Sequence, residues 1–299
     1  MLNGIGHLEM RVRDLAACRS LYGELLGLQE VAHGVGVHGD RVSMFAIGDS
    51  VLELHEDPDA VTALLPSGER KDHMDVPGSV GHFALYVENN DDAFEALRHV
   101  LAVNPLGSTR DGPSVQAMDH EYMQRSLLEL YAPGGYVIQI AEVLDPREHV
   151  KDRIMEKKAL AAAAGGGLLR GIDHVNINCT DVAANRDLFV RTLGLAEICH
   201  RTEKVPPVKG FEESVIAAGL TDLEISQSDE NVGRRLGPGA VTSLGFWTDD
   251  VEGAYRMVGR RGLDVGEPPS ELAPLPNMRR RAFSFEGLDG LRLEVAQRG

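Results

Sequence analysis

Features that mark membrane, secreted or nucleic-acid-binding proteins are scarce in this sequence of 299 residues. Its apolar runs fall well short of the roughly 20 residues that span a bilayer, and we expect no signal peptide. Only three cysteines occur, which favours a reducing cytoplasm over a disulfide framework. Positive charge is short as well: 30 Lys and Arg against 46 Asp and Glu leave a net charge of −16. That deficit argues against nucleic acid and membrane as partners and favours a small-molecule ligand.

The remaining composition is that of an ordinary globular protein. Apolar residues make up 43% of the chain and charged residues 25%, both near the average for soluble proteins. The length therefore allows two domains of ordinary size, each able to bury its own core.

A short strand pattern occurs four times along the chain. Three copies carry a histidine at the second position, and the fourth carries a serine there. These positions are His7, His82, His174 and Ser243. Seven residues after each of them stands a residue that can cap the start of a helix. The capping positions are Asp14, Asn89, Asp181 and Asp250.

The four copies are related as two duplicated pairs. The third copy aligns with the first at a constant offset of 167 residues, and the fourth aligns with the second at an offset of 161. Agreement over so many positions indicates internal duplication. We therefore divide the chain into four related units, called modules one to four.

Each module predicts a strand, a helix and then further strands. In module one, Leu8, Met10 and Val12 alternate with polar residues, which indicates a strand with one buried face. Asp14 and Gly27 predict the two ends of the helix that follows. The predicted elements are a helix over 14–27 and strands over 28–37, 42–47 and 51–55 in module one, and a helix over 91–101 and strands over 126–130 and 136–141 in module two.

A charged helix lies between modules two and three. Asp145-Pro146 predicts its start, and the glycines at 165–167 predict its end. We expect this segment to separate two domains, each made of two consecutive modules. The predicted division is an N-terminal domain over 1–144, a linker over 145–167 and a C-terminal domain over 168–299.

The repeated order of a histidine strand, Asp-Leu at a helix start and Leu-Gly-Leu at its end resembles the vicinal oxygen chelate superfamily. That superfamily includes glyoxalase I, methylmalonyl-CoA epimerase, type I extradiol dioxygenases and bleomycin-resistance proteins. The resemblance implies an α+β fold of four βαβββ modules, paired into two domains. Each domain would then form a curled mixed sheet around a cleft. A shared fold of this kind does not by itself identify the reaction.

The same resemblance implies where a metal ion would be held, on the first and last strands of paired modules. The last-strand positions are Glu53, Gln139, Glu224 and Glu294. The implied N-terminal site is formed by His7, Glu53, His82 and Gln139. A second, partial site in the C-terminal domain would be formed by His174, Glu224 and Glu294, because Ser243 is a poor ligand.

The chemistry of these residues is consistent with a metal site. Glu53 lies between Leu52 and Leu54, so the alternation directs its carboxylate to the face opposite the leucines. Burying an unpaired carboxylate costs several kcal/mol, so it needs a cation or hydrogen bonds. A mixed set of imidazole, carboxylate and amide ligands suits one divalent ion of Zn, Mn, Fe, Co or Ni.

We expect proton transfer as the first choice of reaction. A metal-dependent isomerase or epimerase would act through an enediolate, with Glu53 as the general base. The resemblance suggests a small ketone-bearing substrate of the cyclitol or sugar-like type. Arg11, Tyr86, His120 and Tyr122 are the predicted substrate contacts. The resemblance further implies a homodimer.

Two alternatives remain open at the level of the sequence. An extradiol ring-cleaving dioxygenase fits the four-module length, but neither predicted site has two histidines and a carboxylate in the expected positions. A non-catalytic protein that binds a small molecule such as an antibiotic also fits the acidic composition. Keeping His7, Glu53 and His82 together counts against that second alternative, because a metal-free binder does not need them.

Overall fold

The computed structural model describes residues 2–60, 80–103, 122–164, 168–203, 211–227, 240–275 and 278–297. The first half of the chain contains β1 (Leu2–Val12), α1 (Leu15–Arg19), β2 (Gln29–Val35), β3 (Arg41–Ile47), β4 (Ser50–Glu56), β5 (Val80–Tyr86), α2 (Asn90–Val103), β6 (Met123–Tyr131) and β7 (Val137–Pro146). The second half contains α3 (Lys151–Ala164), β8 (Ile172–Asn178), α4 (Val182–Arg186), β9 (Ala196–Glu203), β10 (Phe211–Ala218), β11 (Thr221–Gln227), β12 (Val241–Thr248), α5 (Val251–Arg260), β13 (Ser270–Leu275), β14 (Met278–Glu286) and β15 (Arg292–Gln297).

The helix of module one begins where the sequence predicts. The Asp14 side chain accepts a hydrogen bond from the backbone N–H of Ala17 at 2.9 Å, which caps the helix. After Arg19 the helix widens into a π-helical stretch over Ser20–Leu25, and Gly27 follows with a φ of +69°. Module three repeats this arrangement, with a π-helical stretch over Asp187–Thr192. The predicted element order of both modules is therefore confirmed.

The strands form two mixed sheets, and their order corrects the predicted pairing of modules. The first sheet has the order β13-β14-β15-β12-β1-β4-β3-β2, so it joins module one to module four. The second has the order β6-β7-β5-β8-β11-β10-β9, so it joins module two to module three. Each sheet thus takes one module from each half of the chain. The predicted boundaries of 1–144 and 168–299 therefore do not separate the two sheets.

Both sheets are curled, as the α+β class implies. Helices α1, α2, α4 and α5 pack on the outer faces, against the strands of their own modules. Residues such as Leu8 and Leu52 point to that side and belong to one apolar core that draws on all four modules. The first sheet curls far enough for Leu275 near one edge to pack with Val42 and Met44 near the other. The inner faces therefore enclose two clefts.

The predicted linker helix has a second role, because it packs against the inner side of the second sheet. Val150 and Ile154 are buried there together with Tyr86, Tyr122 and Val215. This contact brings the basic side chains of α3 close to the cleft between modules two and three. The helix is therefore part of that cleft's wall as well as a connection between modules.

The two sheets approach each other through a pair of equivalent turns. Gly48 and Gly219 both have positive φ, which glycine adopts without strain. A Cβ at Gly48 would lie 2.9 Å from the carbonyl oxygen of Arg170, and one at Gly219 would lie 2.5 Å from that of Asn3. Both positions therefore require glycine for the backbones to come this close.

Candidate metal centre

Four polar side chains converge on the inner face of the second sheet. They are His82 on β5, Gln139 on β7, His174 on β8 and Glu224 on β11. All four are buried, with 2–6% of each residue exposed. Two of these residues precede α3 in the chain and two follow it. The site therefore exists only because modules two and three share a sheet.

The distances between the ligand atoms fit a single metal ion. His174 Nε2 lies 3.2 Å from His82 Nε2, 3.0 Å from Gln139 Oε1 and 3.8 Å from Glu224 Oε2. Metal–nitrogen bonds of about 2.1 Å place neighbouring ligand atoms roughly 3.0–3.4 Å apart, depending on geometry. One ligand atom each from His82, His174 and Glu224 lie within 4.8 Å of one another. Two imidazoles, a carboxylate and an amide oxygen are a suitable donor set for a divalent transition metal.

Asp173 sets the orientation of the His174 ring. Its Oδ2 lies 2.9 Å from His174 Nδ1, which leaves Nε2 facing the other ligands. Lys157 on α3 donates to Asp173 Oδ1 at 2.7 Å. Burial alone would raise the pKa of Asp173, but the charges of Lys157 and Arg125 outweigh it and hold that pKa well below the ordinary value. The carboxylate is therefore charged when it holds the imidazole.

Arg125 connects the candidate ligand Glu224 to a group of buried acids. Its guanidinium contacts Asp173 at 2.7 Å, Asp222 at 2.8 Å and Glu224 Oε1 at 2.7 Å. The Tyr122 hydroxyl donates to the same Glu224 oxygen at 3.2 Å. These contacts engage one carboxylate oxygen of Glu224 and leave the other facing His174. Only 1% of Arg125 is exposed, so the network is almost free of solvent screening.

Glu213 lies beside this network on the inner face of β10. It is 3% exposed, and Arg201 Nε donates to its Oε2 at 2.7 Å. Burial, together with the charge of Glu224, raises the pKa of Glu213 to about 7. Acids with a pKa near neutrality concentrate at functional sites, because they exchange protons readily at working pH.

The raised pKa of Glu213 predicts a pH-dependent stability. The folded state holds this proton up to about pH 7, whereas the unfolded chain releases it near pH 4.5, so stability falls as pH rises between those values. The loss is on the order of 3 kcal/mol. We expect Glu213→Gln to remove this part of the pH dependence in urea denaturation of chelator-treated protein between pH 4.5 and 8. Equal slopes for the variant and the wild type would contradict it.

The other predicted ligands form a separate cluster in the first sheet. His7 on β1, Glu53 on β4 and Glu294 on β15 surround the guanidinium of Arg280 on β14. Arg280 Nε donates to Glu294 at 2.5 Å, Nη1 donates to Glu53, and Nη2 lies 3.3 Å from His7 Nε2. A protein cation thus lies at the centre of these three side chains.

The structure therefore redistributes the predicted ligands. Of the implied N-terminal set, His82 and Gln139 lie in the second sheet, while His7 and Glu53 lie in the first. The implied C-terminal set is divided as well, since Glu294 is separate from His174 and Glu224. The predicted slots therefore combine differently from the prediction, because module two shares a sheet with module three.

Glu53 is a poor general base in these surroundings. Burial would raise its pKa, but His7, His55 and Arg280 outweigh burial and lower the pKa to about 2. A carboxylate held this firmly in its charged form has little tendency to take a proton. The predicted catalytic role of Glu53 therefore does not match its position.

The predicted substrate contacts lie in different places. Tyr122 hydrogen-bonds to the ligand Glu224, as described above. Tyr86 is 1% exposed, with the Lys157 ammonium 5.3 Å from the centre of its ring. Arg11 is half-buried in the first sheet, 3.5 Å from Glu9. His120 lies outside the described residues. The sequence did not single out Arg125, Asp173, Glu213 or Arg280, because an isolated charged residue on a strand carries no motif.

Comparison with known proteins supports the architecture. The family model "Glyoxalase/Bleomycin resistance protein/Dioxygenase superfamily" matches residues 4–140. A point mutant of glyoxalase I from Zea mays has a TM-score of 0.68 at 16% identity, over 98% of this chain and 92% of that one. Residues 4–140 thus resemble the vicinal oxygen chelate superfamily, and the similarity of fold extends over 98% of the chain. The resemblance inferred from the four histidine slots is thereby confirmed.

Other comparisons bear on the fold alone. A protein from Bacillus subtilis subsp. subtilis str. 168, named as a proposed dioxygenase, has a TM-score of 0.64 at 17% identity, over 99% of this chain and 85% of that one. No curated protein sequence matches the chain significantly. None of the helices in the described part of the chain is long and apolar enough to cross a membrane.

Proposed function

We propose that this protein is a divalent-metal-dependent isomerase or epimerase that moves a proton next to the carbonyl group of a small substrate. The reaction takes place in the cleft between modules two and three. The observation that carries this proposal is the position of Gln139 Oε1, 3.0 Å from His174 Nε2, as a fourth ligand atom in one cluster. A ketone-bearing cyclitol or sugar-like compound is the substrate class that we propose.

The side chains divide the chemistry between them. A bound divalent ion supplies Lewis acidity to a substrate oxygen. His82, His174 and Gln139 would hold that ion, and Asp173 fixes the ring of His174. Glu224 occupies the last-strand slot that corresponds to Glu53, and we assign to it the role of general base. Arg125 and Tyr122 hold one of its oxygens and so fix the direction of the other.

Solvent exchange tests this proposal directly. Purified protein in D₂O is incubated with a panel of α-hydroxyketones and cyclic polyhydroxyketones, and deuterium incorporation is followed by NMR. We expect Glu224→Gln to lower the exchange rate at least about 100-fold, the usual contribution of a general base, while metal content measured by mass spectrometry stays near one per chain. Exchange that survives in Glu224→Gln but is lost in Glu53→Gln would place the reaction in the other cleft and contradict the proposal.

A second candidate function is extradiol ring cleavage. His82, His174 and Glu224 together form a set of two histidines and one carboxylate, which is the ligand set of many non-haem Fe(II) oxygenases. Pairing module one with module two leaves the expected positions without two histidines and a carboxylate, whereas the cleft between modules two and three contains all three. Anaerobic loading with Fe²⁺, followed by a catechol and air, tests it. A yellow ring-cleavage product would favour this function over the isomerase.

The location that we propose is the cytoplasm, and the assembly that we propose is a homodimer. Cys18 and Cys179 are buried with free thiols, and Cys199 is half-buried with no disulfide, which supports a cytoplasmic location. A homodimer is proposed on the resemblance alone, and sedimentation analysis would test it. Absence of both metal and turnover would instead favour a protein that binds a small molecule without converting it.

A further inference from the structure

Two arginines occupy corresponding positions in the two sheets. Arg125 lies four residues before Glu129, which pairs with Gln139. Arg280 lies four residues before Ser284, which pairs with Glu294. Gln139 and Glu294 are equivalent last-strand positions of modules two and four. The two arginine side chains therefore leave equivalent positions of the fold, yet their guanidinium groups contact different sets of residues.

Two aspartates hold Arg125 to one side of the metal cluster. Asp173 precedes His174, and Asp222 pairs directly with His174 across β8 and β11. Both carboxylates contact the Arg125 guanidinium at 2.7–2.8 Å. Arg125 therefore reaches only the outer oxygen of Glu224, and the space between the histidines is left to an ion.

The first sheet lacks this pair of carboxylates. Gly6 precedes His7, and Val51 pairs directly with His7 across β1 and β4, so these two residues stand where the second sheet has its aspartates. Nothing at these positions competes for Arg280. Its guanidinium instead contacts Glu53, Glu294 and His7, which correspond to the metal ligands of the other cleft.

The missing side chains also leave room for a ligand. A cavity of about 210 Å³ lies beside the Arg280 cluster, and Gly6 and Val51 form part of its wall. His7, Glu53 and Arg280 supply its polar surface, and Met44, Trp247 and Met278 supply apolar surface. The cavity thus has one polar end, where a protein cation takes the place of a metal.

We propose that the cleft between modules one and four is a second, metal-free binding site for a small uncharged molecule with a carbonyl-type oxygen. This site does not depend on the reaction proposed for the other cleft. Arg280 has five N–H groups, and three of them are directed to Glu53, Glu294 and His7. The other two have no acceptor among the residues that the structure describes, so they are available to a ligand oxygen.

Charge defines the ligand class. Glu53 and Glu294 together carry two negative charges against the single positive charge of Arg280, and Arg279, which also lines the cavity, is paired with its own acid, Glu271. An anionic ligand would therefore meet a net negative cluster, and a cationic ligand could not accept from the guanidinium. An uncharged compound with an oxygen acceptor and a flat apolar body satisfies both the donors of Arg280 and the surface of Trp247 and Met278.

The single tryptophan of the chain makes this site directly observable. Trp247 lines the cavity, so its fluorescence reports on binding there and not in the other cleft. Benzamide, benzoate and benzylamine share one ring and differ in charge. With wild-type protein we expect saturable quenching by benzamide, with at least tenfold weaker binding of benzoate and benzylamine. No saturable response to benzamide, or tighter binding of benzoate, would overturn the proposal.

Two neighbouring arginines provide a matched pair of variants. Arg280→Met removes the donors, and we expect it to weaken benzamide binding at least tenfold. Arg281→Met changes a residue that does not line the cavity, whose side chain is 50% exposed and paired with Glu252, and it should keep the wild-type affinity. Equal affinities in both variants would overturn the role of Arg280.

If Arg280→Met does not fold, the three wild-type titrations still decide the proposal. His174→Ala should bind benzamide like the wild type, which separates this site from the metal centre.

Discussion

Replacing His174 by alanine should abolish stoichiometric metal binding, whereas the same replacement of His7 should leave it unchanged. His174 Nε2 lies 3.0–3.8 Å from the candidate ligand atoms of His82, Gln139 and Glu224. Without this imidazole, His82, Gln139 and Glu224 cannot surround an ion as the four side chains together would. His7 occupies the equivalent slot of the first sheet, where the Arg280 guanidinium already lies between Glu53 and Glu294. We expect the dissociation constant to rise by at least about 100-fold for His174→Ala.

Metal titration followed by elemental analysis distinguishes the two clefts. Wild-type protein should bind one equivalent of a divalent ion, and so should His7→Ala. Two equivalents in the wild type, or loss of metal from His7→Ala alone, would mean that the first sheet binds metal in spite of Arg280. Circular dichroism of both variants serves as the folding control.

Replacing Arg125 by methionine should lower the free energy of unfolding by about 3–5 kcal/mol. Methionine keeps most of the apolar stem but leaves Glu224 without its guanidinium partner, and it removes one contact each from Asp173 and Asp222. All three carboxylates lie in a region where at most 5% of each residue is exposed. Buried acids that lose their cation bear the full cost of desolvation. Urea denaturation of the metal-free protein measures the change.

Arg153 offers the matched control for this prediction. It also contacts Asp222, at 2.5 Å, but 18% of its side chain is exposed and Asp222 keeps Arg125. Arg153→Met should therefore cost only about 1 kcal/mol. A loss of similar size in both variants would show that Arg125 contributes no more than a partly exposed ion pair.

The ligand slots could be predicted because strand alternation is local. Glu53, Gln139, Glu224 and Glu294 each lie between apolar residues, and the structure buries all four on inner faces. The helix cap at Asp14 depends on a hydrogen bond from Ala17, which is only three residues away in the sequence. Patterns of this kind depend on near neighbours in the chain, so they can be read without knowing the tertiary structure.

The pairing of modules could not be predicted in the same way. Modules one and three are copies of each other, as are two and four, so their first strands present similar edges. Hydrogen bonds along an edge carry no information about which copy is the partner. The choice depends on contacts that are distant in sequence, such as the Tyr86 amide donating to the carbonyl of Gly171. The linker helix between modules two and three was predicted to separate two domains, and that boundary paired module one with two and module three with four.

The sequence by itself indicated the resemblance to the superfamily, the four modules, the strand faces and the candidate ligand positions. Tertiary structure decided which of those residues meet, and so placed His82 and Gln139 with His174 and Glu224. It also decided which side chains the two equivalent arginines, Arg125 and Arg280, contact. The physical reason is electrostatic: Asp173 and Asp222 hold one guanidinium aside, while Gly6 and Val51 offer the other no competing carboxylate.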